Sequence, residues 1–175
     1  RKRLLDYLQE GVGAESLDIL LEQTEVRMEP WRQMLDKIDT PFDAGEVRGL
    51  AIRALESYPD HPGVLLLRSV SEMMCSDAND VTASQTIHAA LRSSKERYGL
   101  TDEDIIETLS WLGDLADTRT TALRLPMAVA FYQAKAEGLL SKSVTSHGVS
   151  LLKSLDDENV DAARHVAFLS EATDG

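Results

Sequence analysis

Cysteine is nearly absent: Cys75 stands alone among 175 residues. One thiol cannot build an intramolecular disulfide framework or a cysteine-rich zinc site. It sits beside Met73 and Met74 in an apolar stretch, where a small buried core residue is expected. Aromatic residues make up only 5% of the chain, while Leu and Ala are plentiful, a balance that favours helix–helix packing over sheets. No apolar run reaches the roughly 18 residues a membrane span needs, and no signal-peptide pattern is visible. A reducing, cytoplasmic setting is therefore expected. Basic residues are also scarce, with 18 Lys and Arg against 30 Asp and Glu, for a net charge of −12. Such a surface repels nucleic-acid backbone and anionic lipid. The basic groups Arg1, Lys2, Arg3 and Arg92, Lys95, Arg97 are read as solvated surface, and direct nucleic-acid binding is not expected.

What is present is helical periodicity. Apolar residues recur at steps of three and four, and no segment sustains a period of two. Leu4, Leu5 and Leu8 mark a first helix, and Leu17, Leu20, Leu21 and Met28 a second. Pro30 restarts the chain ahead of Trp31, Met34, Leu35 and Ile38, and Thr40-Pro41 closes that helix. Asp43 with Glu46 three residues later reads as a capping box for the helix carrying Val47, Leu50, Ala51, Ala54, Leu55 and Tyr58. Pro59 stops it, Asp60 is placed as the next N-cap, and Pro62 suits the first turn behind it. Further stripes follow: Leu66 to Met74, Ile87 to Tyr98 with Gly99 as C-cap, and Ile105 to Ala116 behind a Thr101–Asp104 capping pair. Pro126 kinks or restarts a helix bearing Met127, Ala130, Phe131 and Ala134. Val144 to Leu155 and Val160 to Phe168 complete the set. The expectation is an all-α chain of about nine or ten helices in antiparallel pairs, forming one domain over residues 1–175. It begins with Arg1 rather than Met, so it reads as a piece of a longer protein.

The stretch ALESYPDHPGVLLLRSVSEMM, residues 54–74, resembles the junction between consecutive tetratricopeptide repeats. Leu20-Leu21-Glu22 lies 34 residues before Ala54-Leu55-Glu56, and Ala90-Leu91 lies 36 residues after Ala54-Leu55, near the family's period. The resemblance covers residues 17–116 and implies a stacked solenoid; an irregular helical bundle is the alternative. The family's Trp/Leu-Gly/Tyr pattern is missing, since Leu66, Ser69, Val70 and Met73 occupy the helix after Pro62.

No chemical motif stands out. The four histidines His61, His88, His147 and His165 are scattered and match no zinc-protease helix. Ser146-His147-Gly148 places hydroxyl and imidazole on neighbouring positions, which diverge on a helix. Gly11-Val12-Gly13 lacks the P-loop lysine, and Asp77, Asn79 and Asp80 lack the glycine and terminal Glu of an EF-hand. Asp102-Glu103-Asp104 and Asp156-Asp157-Glu158 fall at helix starts, where the dipole favours them. No cofactor, metal or catalytic set is expected.

The function expected is that of a non-catalytic scaffold whose groove binds a partner protein, through a basic or amphipathic segment given the chain's charge. Arg48, Arg68, Glu72, Gln85 and Tyr132 are the candidate contact residues. One alternative is an accessory domain of a nucleotide-driven machine, because RKRLLDYLQEG resembles the arginine-rich helix closing the motor region of some DNA helicases. A second is an all-α enzyme with dispersed carboxylates and histidines.

Overall fold

A computed structural model describes Leu21 and residues 26–38 and 40–155. Seven α-helices and no strand occur among the described residues: α1 Glu29–Asp36, α2 Pro41–Ser57, α3 Pro62–Met73, α4 Asp80–Glu96, α5 Asp102–Thr118, α6 Arg124–Ala136 and α7 Lys142–Leu155. A 3₁₀ turn over Thr121–Leu123 joins α5 to α6. The described chain is all-α, as its periodicity implies, with seven helices rather than nine or ten. The helices expected around Leu4–Leu8 and Val160–Phe168, and most of that expected over 17–28, lie outside the described residues.

The centre of the fold is α3, where eleven of twelve residues are buried. A helix buried nearly all round is enclosed on several sides, and the polar residues on it need partners there. It packs against α2 and α4, with α1 at its flank. Its buried hydroxyls are satisfied locally: Ser69 donates to the Leu65 carbonyl at 2.7 Å and Ser71 to that of Leu67 at 2.6 Å. Ser69 and Thr86 are hydrogen-bonded at 2.7 Å, and Ser93 donates to the Asp60 carbonyl, so α3 and α4 run antiparallel. By contrast, α5 and α7 run parallel, with Ser143 against Asp102, His147 against Ser110 and Leu151 against Gly113. The remaining neighbours pack α4 against α6 and α6 against α7.

Several caps follow the sequence. Thr101 and Asp104 form a reciprocal capping box. Gly99 takes φ +58°, and Leu100 N–H then donates to the Ser94 carbonyl at 2.8 Å, closing α4. Two caps differ from expectation. Thr40 opens α2, its hydroxyl accepting from Asp43 N–H at 3.1 Å, so Thr40-Pro41 starts a helix rather than closing one. Asp43 is thereby the third residue of α2 and not its cap. Likewise His61, not Asp60, caps α3: its Nδ1 accepts from Gly63 N–H at 3.1 Å and Val64 N–H at 3.4 Å. Asp60 turns outward, where its carboxylate takes Arg97 at 2.6 Å.

The His61 ring is buried among Trp31, Tyr98 and Tyr58, at centroid distances of 4.9, 5.7 and 6.5 Å. Because Nδ1 accepts, the neutral ring carries its proton on Nε2, which has no hydrogen-bond partner and sits inside this aromatic enclosure. Burial lowers the imidazole pKa from 6.5 to about 4. The unfolded chain therefore takes up this proton first as pH falls, so the contribution is full above pH 6.5 and lost progressively down to about pH 4. The expected loss is about 3 kcal/mol, from about 1.4 kcal/mol per pKa unit. Urea denaturation at pH 7 and pH 4.5 measures it. His61→Asn, which keeps an acceptor for the cap but cannot titrate, should lose markedly less stability between the two pH values than the parent chain.

Candidate functional site

The residues before α1 and its first turns face α5 across an open groove of about 1090 Å³. Its walls are residues 26–30, Arg32 and Gln33 on one side and residues 98–100 with polar and aromatic positions of α5 on the other. Arg119 fixes the far end, since its guanidinium donates to the carbonyls of Asp36 and Ile38 and so ties the end of α5 to the end of α1. The volume lies at the upper end of the roughly 300–1,000 Å³ typical of small-molecule pockets and leaves room for a segment of a partner chain.

The groove is acidic. Glu29, Asp104, Glu107 and Asp114 line it, against Arg27 and Arg32. Asp104 is occupied by the capping box at Thr101. Among the described residues Glu29, Glu107 and Asp114 have no ion-pair partner. Trp111 forms part of the wall, although only 4% exposed, and its indole Nε1 has no hydrogen-bond partner. The Arg32 guanidinium carbon lies 5.6 Å from the centre of that ring, within cation–π range. Ser110, also on the wall, is hydrogen-bonded to His147 Nε2 at 2.8 Å. A hydroxyl held by an imidazole is half of a nucleophilic pair, but such a pair works when a third group orients the base. Among the described residues no carboxylate is bonded to His147, and the bond serves to join α5 to α7.

The sequence-chosen contact residues fall elsewhere. Arg48, Arg68 and Glu72 are brought together: the Glu72 carboxylate, with a side chain 4% exposed, takes Arg48 at 2.6 Å and Arg68 at 2.9 Å. Asp77 holds Arg48 from the loop after α3 at 3.1 Å. The hydrogen bonds that Arg48 donates to Asp77, then Glu72, raise its pKa further above its ordinary value, and the Asp77 carboxyl is correspondingly lowered by Arg48. Gln85 is exposed on α4 and takes no part in this network. Tyr132 is half-buried, edge-on to Phe131 at 5.4 Å, with Lys135 at 5.7 Å from its ring centre. None of the five lines the groove.

The other polar positions are absorbed into packing contacts. His88 and Arg92 of α4 both reach Glu137 after α6, at 2.8 and 2.7 Å. Partial burial opposes the Glu137 charge, but these two hydrogen bonds outweigh it and its pKa is lowered. With Arg92 on Glu137 and Arg97 on Asp60, two members of the basic trio on α4 are neutralised by carboxylates. No group of three or more metal-ligating side chains occurs among the described residues, and none of their helices is long and apolar enough to cross a membrane. Cys75 is buried, its thiol donating to the Ser71 carbonyl.

The groove residues were missed because each has an ordinary reading alone. Trp111 falls within the apolar stripe of α5, and Glu107, Ser110 and Asp114 belong to no motif that would mark them. The visible signal was their spacing of three and four beside Trp111, which puts one acidic line along the edge of an aromatic. No family model matches the chain, and neither curated proteins nor solved structures provide a match.

Proposed function

We propose that this chain is a helical interaction domain that holds a basic segment of a partner protein in the groove between α1 and α5. The observation that carries the reading is the groove itself: it is open, walled by an aromatic, and lined by Glu29, Glu107 and Asp114, which have no ion-pair partner among the described residues. Charge complementarity selects the partner's chemistry, and the net charge of −12 would steer its approach. A segment with Arg or Lys on one face and an apolar anchor on the other fits both walls.

The tetratricopeptide-like arrangement belongs to the same proposal. Packing of α4 on α6, and the parallel run of α5 beside α7, are the alternate-helix contacts that a stack of helical hairpins makes. In such a stack a concave surface for a partner is a by-product of the repeat.

The test is a titration of the chain with 14-residue amphipathic peptides bearing Arg at helical spacing, and with the same peptides bearing Glu. The Arg peptides should bind and the Glu peptides should not. Reversing the wall with Glu107→Lys and Asp114→Lys together should weaken Arg-peptide binding by at least about tenfold, more at low salt than at high. Equal binding to the parent and the double variant would sink the groove as the site.

A further inference from the structure

Arg32 occupies an unusual position for a charged side chain in an acidic groove. It has no carboxylate partner among the described residues, although Glu29 and Asp114 line the same groove. Its guanidinium lies instead over the Trp111 ring. An aromatic face in a field of carboxylates is the chemistry that recognises an alkylammonium or guanidinium group, and the indole is the strongest such face.

Building on the groove reading, we infer that the Trp111 ring is a cation-recognition subsite filled by the chain's own Arg32 in the free protein, and that an arginine or lysine of the partner displaces Arg32 on binding. Two observations support it independently of the acidic lining. Trp111 is only 4% exposed with Arg32 over its ring, and its Nε1 donor has no partner among the described residues, so a segment that displaces Arg32 uncovers a ring face for its cation and an N–H for a backbone carbonyl. Arg32, with one ring contact and no ion pair among the described residues, is held weakly enough to leave. The internal arginine then acts as a competitive stand-in, setting a threshold that weakly basic segments fail to cross.

Removing Arg32 also removes a positive charge from the groove, so charge and competition both favour tighter binding of a basic segment. The two effects separate by comparing Arg32→Gln with Arg27→Gln, which changes the same charge on the same wall but has no ring contact. With both tryptophans replaced by 5-fluorotryptophan, and the Trp111 fluorine resonance assigned through Trp111→Phe, the Arg peptide is titrated by fluorine NMR. Arg32→Gln should shift the Trp111 resonance in the free protein and tighten peptide binding about three- to tenfold, clearly more than Arg27→Gln. In the parent chain the peptide should move the Trp111 resonance, and Trp111→Leu should weaken binding. Equal gains from Arg32→Gln and Arg27→Gln, or a Trp111 resonance unmoved by bound peptide, would overturn the subsite while leaving the groove as a docking site. No binding to the parent or to either variant at millimolar peptide would overturn both.

Discussion

Replacing Gly63 with alanine is expected to destabilise the fold by about 2–3 kcal/mol, at the upper end of the usual cost of overpacking a core. Propensity alone argues the other way, since Ala is favoured over Gly inside a helix by up to about 1 kcal/mol. Space decides the sign. A Cβ on Gly63 would stand 2.3 Å from Cε2 of Trp31 and 2.5 Å from two more atoms of its indole. That indole is 1% exposed and also packs against His61, so it has nowhere to move. Gly49, within α2, makes the control: a Cβ there meets nothing within 4 Å. Gly49→Ala should therefore stabilise by about 0.5–1 kcal/mol, the same chemical change with the opposite sign. Urea denaturation of both variants measures the pair. Trp31→Leu combined with Gly63→Ala should be less destabilised than the sum of the two single changes, because the smaller side chain removes the clash. A Gly63→Ala chain as stable as the parent would mean that α1 does not press on α3 as described.

That contact also shows where sequence reasoning stops. Pro62, Gly99 and the Thr101–Asp104 pair were legible because each acts on backbone within a turn or two of itself, so local spacing carries the information. The cap of α3 was misassigned because Asp60 and His61 both have acceptors and position alone favours the carboxylate. What reverses the choice is tertiary: Arg97, 37 residues along the chain, draws Asp60 outward, while Trp31 and Tyr98 enclose the imidazole and hold Nδ1 toward the helix start. The groove was hidden for the same reason. Its walls come from segments some 70 residues apart, and an unpaired Glu107 differs from a solvated one only once Trp111 and Arg32 are seen beside it. Helix faces could be read one at a time; the space between two of them could not.

Truncating Glu72 to alanine should cost about 3–5 kcal/mol, because removing one member of a buried ion pair leaves uncompensated charge behind. The loss falls unequally on its two partners. Arg48 keeps Asp77, whereas Arg68, whose side chain is 15% exposed, loses its bond to Glu72 one helical turn away. Glu72→Gln keeps the volume and one acceptor but not the charge, and should fall between the parent and Glu72→Ala. Replacing Arg48, Arg68 and Glu72 together by Met, Met and Leu should recover most of the loss, since the cost of Glu72→Ala lies in unpaired charge rather than in missing packing. These are the residues that sequence reasoning placed at a partner surface, so peptide binding provides a second reading of the same variants. A carboxylate with each oxygen held by an arginine and a side chain only 4% exposed is closed to a partner. Glu72→Gln, still folded, should therefore bind the Arg peptide as the parent does while unfolding at lower urea. If instead its denaturation were unchanged and its peptide binding lost, the network would be a contact surface, and the site would lie on α2 and α3 rather than between α1 and α5.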